Sequence, residues 1–214
     1  MKYLRSRQNC SFWVFVIIGL LMHVEPLSSQ QSRDESILTY FWNRARAVLS
    51  AGDPIEHGAR FSCEVTAYYK RIGKLGAVTL EDSLKEIRHY SYGNLDSTTV
   101  LVPTENSSLK VDLTVPRVFD STYVLNFFPN DTGGPEIALG FDADTSHLDM
   151  PVGLAILDRQ LYYPKWLYLS YHRMSGYRYL TRSFRFTQVD GFILPDSVWE
   201  GGVRACGGAL VITS

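Results

Sequence analysis

The feature that most restricts the fold of this 214-residue sequence is a series of short segments in which apolar and polar residues alternate. Phe61 to Lys70 alternates in this way, and Tyr177 to Val189 forms a longer segment that ends at Asp190-Gly191. A period of two is the period of a β-strand with one face buried, and Asp-Gly favours a tight hairpin turn. Because such segments recur about every ten residues between turn signals, the sequence predicts a mainly β protein built on an antiparallel sheet.

The other predicted strands follow the same pattern, and the last five strands of the chain, with Tyr177–Val189 among them, lie in the C-terminal third and form a meander. Pro195 lies inside one of them and predicts a bent or edge strand there. Residues 116–149 are the least regular part of the chain, apart from one short strand. The predicted strands are Leu84–Tyr92, Thr98–Val102, Leu109–Val115, Ile137–Phe141, Val152–Asp158, Lys165–His172, Phe192–Glu200 and Arg204–Thr213.

One segment has the period of a helix instead. Between Asp34 and Leu49, the residues Ile37, Phe41 and Ala45 recur at intervals of four and form an apolar stripe. Ala51-Gly52 and the following proline end the pattern. A stripe of this kind on a helix predicts docking against a sheet.

Residues 1–29 have the layout of a secretory signal peptide. Three basic residues precede an uncharged run of 11 residues from Phe12 to Met22, and Glu25-Pro26 end that run before the small residues up to Ser29. The apolar run is too short for a membrane-spanning helix, which needs about 20 residues. We therefore expect cleavage near Ser29, export to the periplasm, no stable membrane span, and one domain over residues 30–214.

The net charge of the chain bears on whether nucleic acid is a partner. Residues 1–29 carry three of the 21 basic residues and one of the 22 acidic residues, so the remaining chain has a net charge of −3. This charge argues against nucleic acid as a partner. No acidic residue occurs between Asp158 and Asp190, where basic and aromatic residues are interleaved. That region could stack on single-stranded nucleic acid, line a groove for an amphiphile with an anionic head, or simply be the two faces of a sheet.

The sequence contains no recognisable metal or catalytic motif. The three cysteines lack zinc spacing, and Cys63 and Cys206 either form a disulfide or stay two separate thiols. Asp142-Ala143-Asp144-Thr145 resembles the start of a calcium loop but lacks its glycine and final glutamate, so a solvated loop is favoured. No phosphate loop, nucleophile elbow or paired histidine motif is present. We expect no enzyme activity, no metal and no cofactor.

Segment 152–199 resembles the superfamily of periplasmic lipoprotein carriers and lipoprotein-sorting proteins, the Lol carriers. Three stretches carry the resemblance: residues 157–164 (LDRQLYYP), residues 177–186, and residues 189–195 (VDGFILP). Leu161 stands where that family usually has threonine. The resemblance implies an α+β fold, in which a curved antiparallel sheet forms an incomplete barrel covered by an N-terminal helix and an irregular helical or loop segment.

The resemblance also implies a function. It predicts a monomeric periplasmic protein that binds lipid acyl chains or a lipoprotein in a concave apolar cavity and that has an envelope protein as a partner. The N-terminal helix or residues 116–134 would act as a lid. The alternatives are a sensor of the same fold and an exported structural domain with no ligand. The predicted cavity residues are Phe41, Leu154, Ile156, Trp166, Tyr168, Phe184, Phe186 and Phe192.

Overall fold

The computed structural model describes residues 27–73, 76–105, 111–120, 123–127, 133–143, 150–172, 177–204 and 209–213. The chain divides into two compact units, Met1–Ile37 and Leu38–Ser214. The described part of the first unit is helical. All of the sheet belongs to the second unit, which also holds residues 38–52 of the helix and every residue of the site described below.

The described elements are one long helix, one 3₁₀ turn and ten strands. Helix α1 is Leu27–Gly52 and the 3₁₀ turn is Val118–Asp120. The strands are β1 (Phe61–Ile72), β2 (Val78–Ser91), β3 (Asn94–Val102), β4 (Val124–Phe127), β5 (Glu136–Asp142), β6 (Val152–Asp158), β7 (Pro164–Tyr171), β8 (Tyr177–Val189), β9 (Phe192–Arg204) and β10 (Ala209–Thr213).

The ten strands form one antiparallel sheet in the order β3-β2-β1-β10-β9-β8-β7-β6-β5-β4. Strands β4 to β10 are a simple meander, in which β6 to β10 correspond to the five strands predicted for the C-terminal third and β4 and β5 extend them. Strand β10 then pairs with β1, so that Tyr68 lies opposite Thr213 and the chain's first hairpins join its last strand. Strands β3 and β4 are the two edges, and the described sheet does not close on itself.

Residues 38–52 of helix α1 and the 3₁₀ turn cover one face of this sheet, which we call the inner face. Leu38, Trp42 and Ala45 lie at intervals of three or four on α1 and are buried in the main core. Trp42 contacts Phe119 of the 3₁₀ turn and Phe141 of β5, with ring centroids 4.4 and 5.3 Å apart. The predicted class is confirmed: the protein is mainly β with one helix, and an open antiparallel sheet is covered by the helix and an irregular segment.

Several predicted boundaries were wrong. Helix α1 begins at Leu27 rather than Asp34, and strand β4 was not predicted. The predicted strand Leu109–Val115 is not a strand in its described part, residues 111–115. Its alternation is real, since Val111 is buried while Asp112 and Thr114 are exposed. The segment lies on the inner face, with one side toward the sheet. Its carbonyl groups at Val111 and Asp112 accept hydrogen bonds from arginine side chains rather than from the backbone of a neighbouring strand.

Candidate functional site

A cavity of about 470 Å³ lies on the inner face, within the range of about 300–1,000 Å³ typical of small-molecule sites. We call it the inner cavity. Its walls are the last two turns of α1 with the turn that follows, the first residues of β1 with the end of β2, the hairpin between β8 and β9, and residues 111–120, which we call the strap. The apolar lining includes Leu49, Ile55, Phe61, Cys63, Leu113, Val115, Phe119, Phe186, Ile193 and Leu194.

The inner cavity is apolar inside and charged at its mouth. Phe119, Phe186 and Ile193 are each less than 8% exposed. By contrast, the charged lining residues Arg46, Glu56, Arg117 and Asp120 are exposed, and Asp53 is half-buried. An apolar interior with a few polar groups at one end is the usual arrangement of a site for a small amphiphilic molecule.

Two arginines of the sheet hold the strap in place. The guanidinium Nη2 of Arg88 donates to the carbonyl oxygen of Val111 at 2.9 Å, and that of Arg182 donates to the carbonyl of Asp112 at 2.8 Å. At the other end of the strap, Arg117 forms an ion pair of 2.7 Å with Glu56. These contacts fix one wall of the inner cavity through polar anchors, while Leu113 and Val115 of the strap pack against the core.

The anchoring arginines are themselves paired with carboxylates. Arg88 Nε lies 2.6 Å from Glu86 Oε1, and Arg182 Nε lies 3.3 Å from Glu200 Oε2. The Arg182 side chain is 10% exposed. Removing one partner of a buried ion pair leaves the other charge uncompensated and typically costs about 3–5 kcal/mol. The carboxylates therefore provide each guanidinium group with a counter-charge where it contacts the strap.

The acidic partners of Arg182 respond to it differently. Burial raises the pKa of Glu200, and the attraction of Arg182 only partly opposes this. For Asp112, burial also acts to raise the pKa, but hydrogen bonds from Thr114 and the charge of Arg182 outweigh it, so that the pKa is lowered. The backbone N–H of Thr114 donates to the Asp112 carboxylate at 2.9 Å. Asp112 is thus held ionised within the strap at neutral pH.

Cys63 presents its half-buried thiol to the inner cavity from β1. Burial raises its pKa, an effect that the nearby Arg88 reduces and Glu86 reinforces. At neutral pH the side chain is therefore an uncharged part of the apolar wall. Cys206 lies outside the described residues, so the pairing of the two cysteines stays a prediction.

The turn between β6 and β7, which carries part of the sequence resemblance, docks on α1. The Asp158 carboxylate accepts hydrogen bonds from the backbone N–H groups of Gln160 and Leu161 at 2.9 and 2.8 Å. These bonds lower the pKa of Asp158 against a smaller effect of burial. Tyr162, which has a positive φ of 63°, contacts Phe41 of α1 with ring centroids 5.7 Å apart.

The eight predicted cavity residues do not come together. Phe184 and Phe186 are buried in the inner-face core, and Phe41 is half-buried against it. Phe192 is half-buried at the start of β9, and its neighbour Ile193 enters the core. The other four lie on the opposite, outer face, where Leu154 is opposite Tyr168 and Ile156 is opposite Trp166. Of the eight, only Phe186 lines the inner cavity.

The outer face carries an aromatic row. The Trp166 ring stacks on Tyr168 at 5.8 Å and on Trp199 at 5.5 Å, and the Arg185 guanidinium lies over it at 5.9 Å. Arg185 is also paired with Asp196 of β9 at 2.9 Å. Residues Trp166 and Tyr168 could not be assigned to a face from sequence because both phases of β7 are apolar.

Neighbouring strands neutralise much of the basic region between Asp158 and Asp190. Lys165 pairs with Glu136 of β5 at 3.0 Å, Arg185 pairs with Asp196, and Arg182 pairs with Glu200. All three acids lie outside the basic region in sequence: Glu136 precedes it, and Asp196 and Glu200 follow it. The sequence alone did not show that these acids pair with it. The arrangement favours the interpretation of the basic region as two ordinary sheet faces.

Sequence reasoning missed most of the residues that do line the inner cavity. Alternation in β1 placed Phe61 and Cys63 on one face, and that signal could have found them. Leu113 and Val115 of the strap had the alternation of a predicted strand, but neither they nor Phe119 could be assigned to a cavity wall, because the position of the strap depends on contacts with Arg88 and Arg182 far away in sequence.

The described residues contain neither a group of metal ligands nor a membrane-spanning helix. Across residues 27–213 with the gaps stated above, no three His, Cys, Asp or Glu side chains are grouped so as to hold a metal ion. Within the same part of the chain, no helix combines the length and the apolar character needed to cross a membrane. Asp144 and Asp149 of the predicted solvated loop lie outside the described residues.

Comparison with known proteins adds little. No protein-family model matches the chain, and no curated protein matches its sequence. Among solved structures, the chain is similar to a LolA superfamily protein from Nitrosomonas europaea, with a TM-score of 0.32 and 13% identity over 79% of this chain and 91% of that chain. At so low a TM-score the likeness supports no conclusion about function.

Proposed function

We propose that this protein is exported to the periplasm and binds an acyl chain of a lipid or lipoprotein in the inner cavity, shielding it from water. One observation carries the proposal: the cavity is lined by buried apolar side chains and opens at a charged mouth. The resemblance of segment 152–199 to lipoprotein carriers, stated from sequence, is consistent with it.

The physical basis of the proposed binding is burial of apolar surface. Each methylene group moved from water into an apolar cavity contributes about 0.8 kcal/mol. A long acyl chain therefore gains enough from the inner cavity to offset the cost of association, which is estimated at about 4–15 kcal/mol. Binding of this kind is reversible and needs no catalytic group.

The strap is the wall best suited to admit a ligand. It contains no described strand, and its polar anchors to the sheet include the carbonyl bonds of Arg88 and Arg182. Helix α1, by contrast, is fixed by the buried side chains of Leu38, Trp42 and Ala45. We propose that the strap rather than α1 moves when an acyl chain enters or leaves.

The experiment is native mass spectrometry of the protein expressed from its full sequence, followed by lipid extraction, with two variants of one cavity residue. Cys63→Trp fills part of the inner cavity, whereas Cys63→Ala leaves it open, and both remove the same thiol. We expect lipid adducts on the wild-type and Cys63→Ala proteins and their loss from Cys63→Trp, with unchanged far-UV circular dichroism. A wild-type protein with no adducts and no affinity for added lipid would contradict the proposal and favour a structural domain without a ligand.

A further inference from the structure

Building on the proposed function, we infer that the inner cavity takes a single acyl chain from an amphiphile with a zwitterionic headgroup, such as a lysophospholipid, and not the several chains of a lipoprotein or a free fatty acid. Two observations carry this inference: the capacity of the cavity and the charges at its mouth.

The capacity is that of one chain. The inner cavity has a volume of about 470 Å³. One molecule of liquid water occupies about 30 Å³, and a methylene group is of similar size, so the cavity holds about 16 such groups. One long acyl chain matches this number. A diacyl lipid would need about twice the volume and a triacylated lipoprotein about three times.

The polarity of the lining sets the direction in which such a chain enters. The most buried lining residues, Phe119, Phe186 and Ile193, are aromatic or aliphatic. The charged lining residues are on the last turns of α1, the turn after it and the end of the strap, where they reach solvent. A bound amphiphile therefore places its chain among the phenylalanines and its head at this mouth.

The charges at the mouth decide between headgroups. Two cations, Arg46 and Arg117, face three acids, Asp53, Glu56 and Asp120. Arg117 and Glu56 neutralise each other at 2.7 Å. The excess of acid disfavours a carboxylate head, because a like charge close by is repulsive.

None of the remaining three groups has a charged partner among the described residues. The Asp53 carboxylate accepts hydrogen bonds from the backbone of Ile55 at 2.8 Å and of Glu56 at 3.4 Å, and so caps its own turn. The Arg46 guanidinium donates only to the neutral side chain of Asn43, and Asp120 is in no ion pair of the described residues. Because the Asp53 carboxylate is engaged by the backbone of its own turn, Arg46 and Asp120 are the cation and the anion that remain at the mouth for a headgroup with a phosphate and an amine.

The test is a displacement assay, in which a fluorescent fatty acid analogue bound to the full chain is competed by four unlabelled ligands below their aggregation concentrations. The ligands are palmitoyl lysophosphatidylcholine, palmitate, dipalmitoyl phosphatidylcholine and a tripalmitoyl lipopeptide. We expect the lysophospholipid to bind with one molecule per chain and at least tenfold more tightly than the other three. In a series of lysophospholipids with 12 to 20 carbons, affinity should stop rising near 16 carbons.

A matched pair of mouth variants tests the headgroup. Arg46→Gln should weaken both lysophosphatidylcholine and palmitate severalfold, whereas Asp120→Asn should weaken lysophosphatidylcholine but strengthen palmitate severalfold, since exposed charge pairs contribute modestly. Equal or tighter binding of palmitate, or saturable binding of the triacylated peptide at the same site, would overturn this inference and leave the proposed function standing. If no ligand in the panel binds, the proposed function itself is refuted.

Discussion

The docking of α1 on the inner face can be tested through Trp42, which is 5% exposed. Its indole contacts three aromatic rings, those of Phe119, Phe141 and Tyr123, with centroids 4.4, 5.3 and 5.8 Å away. Truncating a buried tryptophan to alanine typically costs about 3–5 kcal/mol. Aromatic pairs at these distances contribute beyond their burial, which places Trp42 in the upper part of that range, so we expect Trp42→Ala to lose about 4–5 kcal/mol.

The loss should be measured by urea unfolding followed by circular dichroism. Because a loss of this size is a large part of the 5–15 kcal/mol that stabilises most domains, Trp42→Phe serves as a milder variant with an expected loss of about 1–2 kcal/mol. Tyr68→Ala is the control, since Tyr68 is 57% exposed on the outer face and its truncation should change stability by less than about 0.5 kcal/mol. A loss below about 1 kcal/mol in Trp42→Ala, at an unchanged m-value, would refute the docking of α1 described here.

Three further predictions concern the sheet, a turn and the cavity thiol. Gly153→Ala should destabilise the protein by about 1–3 kcal/mol or more, because the added Cβ would overlap the backbone oxygen of Tyr168. Gly140→Ala is the control, since a Cβ there would meet nothing closer than 3.5 Å, and equal melting temperatures of the two variants would contradict the prediction. The lowered pKa of Asp158 means that its ionised form stabilises the folded state above the unfolded pKa near 3.8 and that this contribution is lost as the pH falls through the folded pKa. Asp158→Asn should therefore be less stable than wild type at pH 7 and equally stable near pH 2, and a constant difference across that range would count against the assignment. Because its pKa is raised by burial, Cys63 should react with Ellman's reagent at pH 7.5 more slowly than glutathione does. Peptide mass spectrometry measures the reaction at Cys63 separately from the other cysteines, and a faster reaction would show that the thiol is not in the apolar wall.

Sequence periodicity predicted the sheet well because alternation is a local property of a half-buried strand. The hairpin at Asp190-Gly191 is an example, since both residues adopt the positive φ that this dipeptide favours. Strand β7 shows the limit of the same reasoning. Leu167 and Leu169 are buried under α1, but Trp166 and Tyr168 are apolar too, so the pattern could not say which pair faces the core.

The candidate site was harder to predict because its walls are assembled from distant parts of the chain. The strap has the alternation of a strand, yet Arg88 and Arg182, which lie 23 and 70 residues from their partners in the strap, take the hydrogen bonds that a neighbouring strand would otherwise make. Likewise, nothing in the local sequence of Arg46 or Asp120 relates the two. A cavity bounded by such long-range contacts becomes visible only with the fold.

The most direct test of acyl-chain binding in the inner cavity is a crystal structure of the full chain with a lysophospholipid brominated near the end of its chain. The anomalous signal of bromine locates the chain without reference to the protein. If the acyl chain lies in the inner cavity, we expect bromine density beside Phe119, Phe186 and Ile193, with the headgroup at Arg46 and Asp120. Bromine density on the outer face beside Trp166 and Trp199, or an inner cavity still closed to the ligand at saturating concentration, would contradict it.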